Sequence, residues 1–259
     1  MADFIRTEDS GGIRTIILDR PELFNSFNRV MAWSFQSALD AAAHDDAVRC
    51  VVITGEGKAF CAGQDLKEVT SPDAPEFRVI VEETYNASVR RIRSMPKPVI
   101  AAVNGVAAGA GANLALVCDL TIARESAVFV QAFSKIGLIP DCGGTWLLPR
   151  LVGMQRAAAL AFLADKVTGA EAAAMGMIYR AVPDADFDAE VLALATRLAE
   201  MPTRALGLTK QAFDASWSST LTDHLSVECD LQVESASSQD CAEGVAAFLE
   251  KRAPQFTGR

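Results

Sequence analysis

Short apolar segments alternate with helical segments through the first half of the chain, and this alternation limits the folds that it can adopt. Segments with the length and apolar, β-branched content of buried strands are 13–18, 50–54, 98–103, 120–123 and 127–130. Helical spacing occurs between them, at 30–43, 76–94 and 110–117. Strands and helices in this order predict a layered α/β core built from recurring β-β-α units.

The pattern changes after Gly144, where strand signals become scarce. Helical segments are predicted at 145–152, 155–163, 169–175, 188–200, 203–217 and 238–249. We therefore predict two regions, an α/β core at residues 1–182 and an all-helical carboxyl-terminal region at residues 183–259.

The composition excludes several classes of partner. The net charge of −9, from 24 Lys and Arg against 33 Asp and Glu, argues against a nucleic-acid or anionic-membrane surface. No apolar run approaches the roughly 18 to 20 residues that span a bilayer. The six cysteines form no CxxC pair, and the amino terminus carries no apolar signal core. These features predict reduced thiols and a cytoplasmic location.

A glycine-rich stretch at 104–113 directly follows the apolar strand at 98–103 and leads into a helix. Free backbone N–H groups at such a helix start point toward the turn and can hold an anionic oxygen. The alternative is a tight turn that merely requires small residues. A dinucleotide fingerprint fits poorly, because Leu114 stands where the third glycine belongs.

A second small-residue turn, at 60–66, follows the strand at 50–54, and taken alone it is either a simple strand-end turn or a functional loop. A third segment, 139–145, places the single carboxylate of Asp141 between Pro140 and a Gly-Gly pair. An acid in that position is a candidate proton carrier. It is equally compatible with an N-cap for the helix that begins near Gly143.

In their order and spacing these three segments resemble the crotonase superfamily, whose members stabilise thioester enolates. The resemblance implies a spiral of β-β-α units and a helical tail that packs in a homotrimer or a dimer of trimers. It also implies an oxyanion hole made by the N–H groups of Gln64 and Ala110, although glycine is usual at the second position. Two preorganised N–H donors would stabilise the charge that develops on a thioester oxygen.

The same resemblance implies that the substrate is an acyl-CoA and that no cofactor is needed beyond its CoA moiety. It places the adenine against the backbone of Ala62, Asp65 and Leu66, and the pantetheine against Glu22 and Phe24. Hydratases of this superfamily carry two glutamates that activate water, and those positions hold Asn113 and Phe133 here. Because neither side chain can act as a base near neutral pH, hydration is disfavoured and Asp141 remains as the proton shuttle.

Segments 132–138, 146–150 and 246–258 resemble a branch of the superfamily that isomerises epoxyphenylacetyl-CoA to oxepin-CoA in phenylacetate catabolism. This makes an acyl-CoA isomerase the leading hypothesis. The alternatives are a generic enoyl-CoA isomerase or hydratase of fatty-acid degradation, an enzyme that uses Asp141 as a nucleophile, as a dehalogenase does, and a noncatalytic CoA-binding or RNA-associated paralogue.

Other candidate residues carry less weight. Cys142 has no local basic partner and is interpreted as a packing residue. The two histidines, His44 and His224, lie far from the motifs, so a triad and a metal site are not predicted. Three cations, Lys210, Lys251 and Arg252, are either phosphate contacts or simply solvated charges.

Overall fold

The computed structural model describes residues 4–259, and its largest element is a six-stranded sheet. The strands of this sheet are β1 (Ile5–Ser10), β2 (Ile13–Leu18), β3 (Cys50–Gly55), β5 (Val99–Val103), β7 (Leu120–Arg124) and β10 (Arg180–Val182), in that spatial order. Only β1 runs antiparallel to its neighbour, and the remaining pairs are parallel.

A smaller four-stranded sheet lies beside it. It contains β4 (Ala59–Cys61), β6 (Val106–Ala108), β8 (Val128–Val130) and β9 (Val167–Thr168). Three successive strand pairs, β3 and β4, β5 and β6, and β7 and β8, each send one strand to the large sheet and the next to the small one. The predicted spiral of β-β-α units is therefore confirmed.

The helices flank and follow these strands. They are α1 (Arg29–His44), α2 (Leu66–Val69), α3 (Phe77–Val79), α4 (Ala87–Ser94), α5 (Ala110–Val117), α6 (Gly144–Val152), α7 (Met154–Leu163), α8 (Gly169–Ala174), α9 (Phe187–Ala199), α10 (Thr203–Ser216), α11 (Leu221–Ala236) and α12 (Gln239–Glu250). Short 3-10 turns occupy Pro21–Leu23 and Ala132–Ile136. The carboxyl-terminal region is helical, as the sequence predicts.

The predicted helix at 76–94 differs from the observed one in its geometry. Helices α3 and α4 are joined by a π-helical segment, Ile80–Asn86, so the chain is continuously coiled but is not α-helical throughout. The sequence also gave no indication of strands β1, β4, β6, β9 and β10 or of helix α11. Helix α11 has no buried residue, which explains its weak apolar pattern.

Two apolar clusters cover opposite faces of the large sheet. The larger cluster surrounds α1, α5 and the small sheet and includes the fully buried Phe35, Phe60 and Leu148. The smaller one lies under α9, where Phe187 and Ala195 pack against Val52 and Ile100. Helix α9 belongs to the predicted carboxyl-terminal region but packs on the sheet of the predicted core. The boundary between the two regions, at residues 182 and 183, stays a prediction.

Candidate active site

A cavity of about 310 Å³ lies where the turns after β4 and β6 face the segment around Asp141. The π-helical segment forms another wall. Most of the lining is apolar, and the side chains that form it include Val69, Phe77, Ile80, Val81, Phe133, Ile136 and Leu138. A cavity of this size and polarity suits the acyl end of a small-molecule substrate.

The two predicted oxyanion donors lie next to each other on this cavity. Gly63 has a φ of +87°, and a Cβ atom at Gly63 would lie 2.9 Å from the Ala108 carbonyl oxygen and 3.3 Å from the Ala110 nitrogen. Helix α5 begins at Ala110, so its first N–H groups have no acceptor within the helix. Gln64 and Ala110 both line the cavity. The structure therefore brings the two residues together, and the oxyanion hole that their N–H groups would form stays a prediction.

The side chain of Gln64 is held chiefly by Tyr85 and Glu68. Its Oε1 atom accepts a hydrogen bond from the Tyr85 hydroxyl at 2.8 Å, and its Nε2 atom donates to Glu68 at 3.0 Å. Burial raises the pKa of Tyr85 well above 10, so its hydroxyl remains protonated and keeps donating. Sequence reasoning missed Tyr85, because a lone aromatic residue in a helical pattern is read as core.

Asp141 lines the same cavity, and its carboxylate is poorly solvated. Its Oδ1 atom is buried and has no hydrogen-bond partner among the described residues. Burial raises the pKa of Asp141 from 3.8 to about 6, against a smaller lowering by its own backbone N–H. An acid with a pKa near 6 can accept a proton and return it at neutral pH.

The alternative role of Asp141 as a helix cap is wrong. Helix α6 begins at Gly144, and its N-cap is Gly143, which has no side chain to form a cap. Only the backbone carbonyl of Asp141 takes part, accepting from the Gly144 N–H at 2.8 Å. The carboxylate is therefore free for chemistry.

Asn113 holds the backbone of Asp141 and does not line the cavity. Its Nδ2 atom donates to the Asp141 carbonyl at 2.8 Å, and its Oδ1 atom accepts from Gln131 at 2.8 Å. Asn113 is fully buried, and a Cβ atom on Gly144 would lie 2.2 Å from its Nδ2. The structure thus places Asn113 behind the Asp141 peptide and does not bring it to the cavity lining, where the substrate contact was expected. Gln131, which no motif marks in the sequence, fixes the orientation of the Asn113 amide.

Phe133 does line the cavity, in agreement with its predicted position. Its ring atom Cζ would lie 3.8 Å from a Cβ atom on Gly109, just before the start of α5. An aromatic ring at this place offers neither a base nor a polar group that could hold water. Exclusion of water from the cavity stays a prediction.

The five predicted CoA contacts lie on two adjacent segments. The Ala62 N–H donates to the Phe24 carbonyl at 2.9 Å, which joins the segments, and Glu22 is exposed two residues before Phe24. Phe24 and Leu66 are each about half exposed. Asp65 is buried, since its side chain pairs with Arg20 at 2.8 Å and caps α2. The structure thus brings these residues together beside the cavity.

The remaining candidates lie outside the cavity lining. Lys210 is buried and pairs with Asp119 at 2.9 Å, and Arg252 pairs with Glu243 at 2.6 Å, so both are engaged within the chain. Lys251 is exposed. Burial raises the pKa of Cys142 well above 9, which opposes a nucleophilic role.

Neither a metal site nor a membrane span is found in the part of the chain that the structure describes. Residues 4–259 contain no cluster of histidine, cysteine and carboxylate side chains that could hold a metal ion. None of their helices is both long and apolar enough to cross a bilayer.

The two-sheet spiral and its cavity define a protein with the crotonase fold. An enoyl-CoA hydratase from Bacillus anthracis has the same architecture, with a TM-score of 0.94 and 32% identity, covering 99% of this chain and 100% of that one. The Enoyl-CoA hydratase/isomerase family matches residues 8–259.

Two relatives are still more similar in sequence. A protein from Escherichia coli (strain K12) called 1,2-epoxyphenylacetyl-CoA isomerase is 49% identical over 263 residues, covering 100% of both chains. A probable enoyl-CoA hydratase from Rhodobacter capsulatus is also 49% identical, over 98% of both chains. The chain therefore belongs to the enoyl-CoA hydratase/isomerase family and is an enzyme.

Proposed function

We propose that this enzyme isomerises 1,2-epoxyphenylacetyl-CoA to oxepin-CoA in phenylacetate catabolism. The observation that carries the proposal is the carboxylate of Asp141, which lines a largely apolar cavity beside the backbone of Gln64 and Ala110. The absence of both hydratase glutamates and the 49% identity to the Escherichia coli isomerase support the same assignment.

The reaction needs one group that moves a proton. Asp141 takes a proton from the carbon beside the thioester, and charge develops on the thioester oxygen, where the Gln64 and Ala110 N–H groups stabilise it. Each such donor typically contributes about 3 to 4 kcal/mol. The carbon–carbon bond shared by the epoxide and the six-membered ring then breaks while both C–O bonds are kept, so the two fused rings become one larger oxygen-containing ring. Asp141 returns the proton to a ring carbon. No atom is gained or lost, so no cofactor is required beyond the CoA of the substrate.

The test is a direct assay with purified protein and epoxyphenylacetyl-CoA, the product being identified by its mass and ultraviolet spectrum. An isomer of unchanged mass with a new spectrum supports the proposal, whereas water addition, or no reaction despite CoA-ester binding, contradicts it. A 3-enoyl-CoA is assayed in parallel, because the same carboxylate could shift a double bond. Faster turnover of the aliphatic substrate would favour the generic enoyl-CoA isomerase.

We also propose that the enzyme assembles as a homotrimer or a dimer of trimers and works in the cytoplasm. Large apolar side chains are exposed on the helices of the carboxyl-terminal half, including Phe162, Leu221 and Phe248, the last at 83% exposure. A contact between subunits would cover such surfaces. All six cysteines are free thiols, in keeping with a reducing compartment. Light scattering of the pure protein measures the assembly, and a monomeric mass would contradict it.

A further inference from the structure

The π-helical segment Ile80–Asn86 forms one wall of the cavity and carries Tyr85, the residue that binds the Gln64 side chain. A π-helical turn is rare and changes the direction in which later side chains point, and such turns occur often at functional sites. The altered hydrogen-bond spacing also disturbs the pairing of backbone carbonyls, which need other partners when they are buried. The groups that hydrogen-bond to the carbonyls of this segment therefore help to set the position of Tyr85.

Gln36, on helix α1, supplies partners to two of these carbonyls, and the Ser88 hydroxyl also donates to one of them, that of Thr84, at 2.6 Å. The Gln36 Nε2 atom donates to the Glu83 carbonyl at 2.7 Å and reaches the Thr84 carbonyl at 3.3 Å. These are the two residues directly before Tyr85. Gln36 is 8% exposed and does not line the cavity, so its amide has no access to a substrate.

We propose that Gln36 is a positioning residue, which holds the π-helical turn so that Tyr85 meets Gln64 and aligns the Gln64 N–H with the substrate oxygen. This inference rests on the proposed function in one respect, that the Gln64 N–H stabilises the substrate oxygen. The chain of contacts runs from the Gln36 amide through the Glu83 and Thr84 peptides to the Tyr85 hydroxyl, and from there to the Gln64 side chain. All of these contacts lie within the protein, and Gln36, Thr84 and Tyr85 are buried.

The test is a double-mutant cycle between Gln36→Met and Tyr85→Phe. Methionine keeps the length of Gln36 and removes both N–H donors, and phenylalanine removes only the hydroxyl of Tyr85. Because a displacement of about 1 Å can cost about 100-fold, we expect each single variant to lower kcat by roughly 10-fold or more with little change in KM. The kcat of the double variant should be no lower than that of the less active single variant, since both changes break the same chain of contacts.

A matched control is Thr121→Val. The Thr121 hydroxyl is buried and donates to the Ala115 carbonyl at 2.8 Å, so its loss also removes one buried hydrogen bond, but far along the chain from the π-helical turn. We expect its kcat to be unchanged. The proposal is overturned if the fold-losses in kcat of the two single variants multiply in the double variant. A kcat of Gln36→Met equal to that of the control would also overturn it.

A second measurement does not depend on turnover. Acetoacetyl-CoA forms an enolate whose negative charge lies partly on the thioester oxygen, and the ultraviolet absorbance of the bound ligand reports how well that charge is stabilised. Gln36→Met should lower the enolate absorbance per bound ligand, and Thr121→Val should not. An unchanged enolate signal refutes the positioning role, while a lowered signal in an enzyme that does not isomerise the epoxide would refute only the proposed substrate. Gln36→Glu, measured at pH 8, serves if the methionine variant fails to fold.

Discussion

Replacing Asp141 with asparagine should remove activity and stabilise the fold, and the second effect can be calculated from the structure. Burial raises the pKa of Asp141 from 3.8 to about 6. One pKa unit corresponds to about 1.36 kcal/mol, so keeping the ionised carboxylate buried costs the folded state at most about 3 kcal/mol. Asparagine has nearly the same shape and no charge, so the cost disappears.

The pH dependence of this effect has a definite sign. Because the folded pKa is the higher one, the stability contributed by the protonated carboxyl is full below pH 3.8 and is lost as the pH rises through about 6. The cost is therefore about 1 to 2 kcal/mol at pH 5 and about 3 kcal/mol at pH 8. Relative to the unmodified enzyme, the advantage of Asp141→Asn should grow by about 1 to 2 kcal/mol between these values. Exposure of the open cavity to solvent makes this figure an upper estimate.

Urea unfolding at both pH values, at one fixed protein concentration, measures the difference. Turnover of the same two proteins is measured alongside. Losing a general base typically costs about 10²- to 10⁴-fold, and acyl-CoA binding should change little. A stability difference that is independent of pH would show that Asp141 is not a buried acid of raised pKa. Near-normal turnover of the variant would show that it is not the base. In the unmodified enzyme kcat should rise as the pH passes through about 6, where the base ionises.

Three further outcomes are expected. Arg20→Gln removes the ion pair that holds Asp65 beside the predicted adenine site. Steady-state kinetics should therefore show a higher KM with little change in kcat, and a fall in kcat as large as the rise in KM would contradict this. Asn113→Ala removes the bond to the Asp141 carbonyl and leaves Gln131 without its acceptor, so urea unfolding should show a loss of about 1 to 3 kcal/mol, together with a lower kcat. Crotonyl-CoA hydration should be much slower than isomerisation, because Phe133 stands where a hydratase glutamate would be; comparable rates would refute the assignment.

Much of the fold follows from local patterns in the sequence. Helix α5 was predicted at its observed bounds, and strand β2 likewise, because each combines a clear apolar pattern with strong boundary residues. Long helices such as α1 and α12 were found within one or two residues. Strands β4, β6 and β9 have only two or three residues, too few to show a period, and they exist because neighbouring strands pair with them.

The sequence also led to Asp141, from its place between a proline and two glycines, and the family resemblance led to Gln64 and Ala110; the structure places all three on one cavity. It could not assign the partners of these residues. Asn113 turned out to hold the Asp141 backbone from within the core, at a distance of 28 residues along the chain. Nothing in the residues around either position indicates that hydrogen bond.

Tyr85 and Gln36 illustrate what the tertiary structure alone decided. A π-helical turn interrupts the 3.6-residue period, so the face to which Tyr85 points cannot be counted from its neighbours. Its direction depends on carbonyl groups bonded by Gln36, which lies 47 residues earlier than Glu83. The sequence by itself determined which segments fold locally and which turns carry the small residues of a candidate oxyanion site. Tertiary packing determined which side chains support those turns, because such contacts form only when distant helices meet.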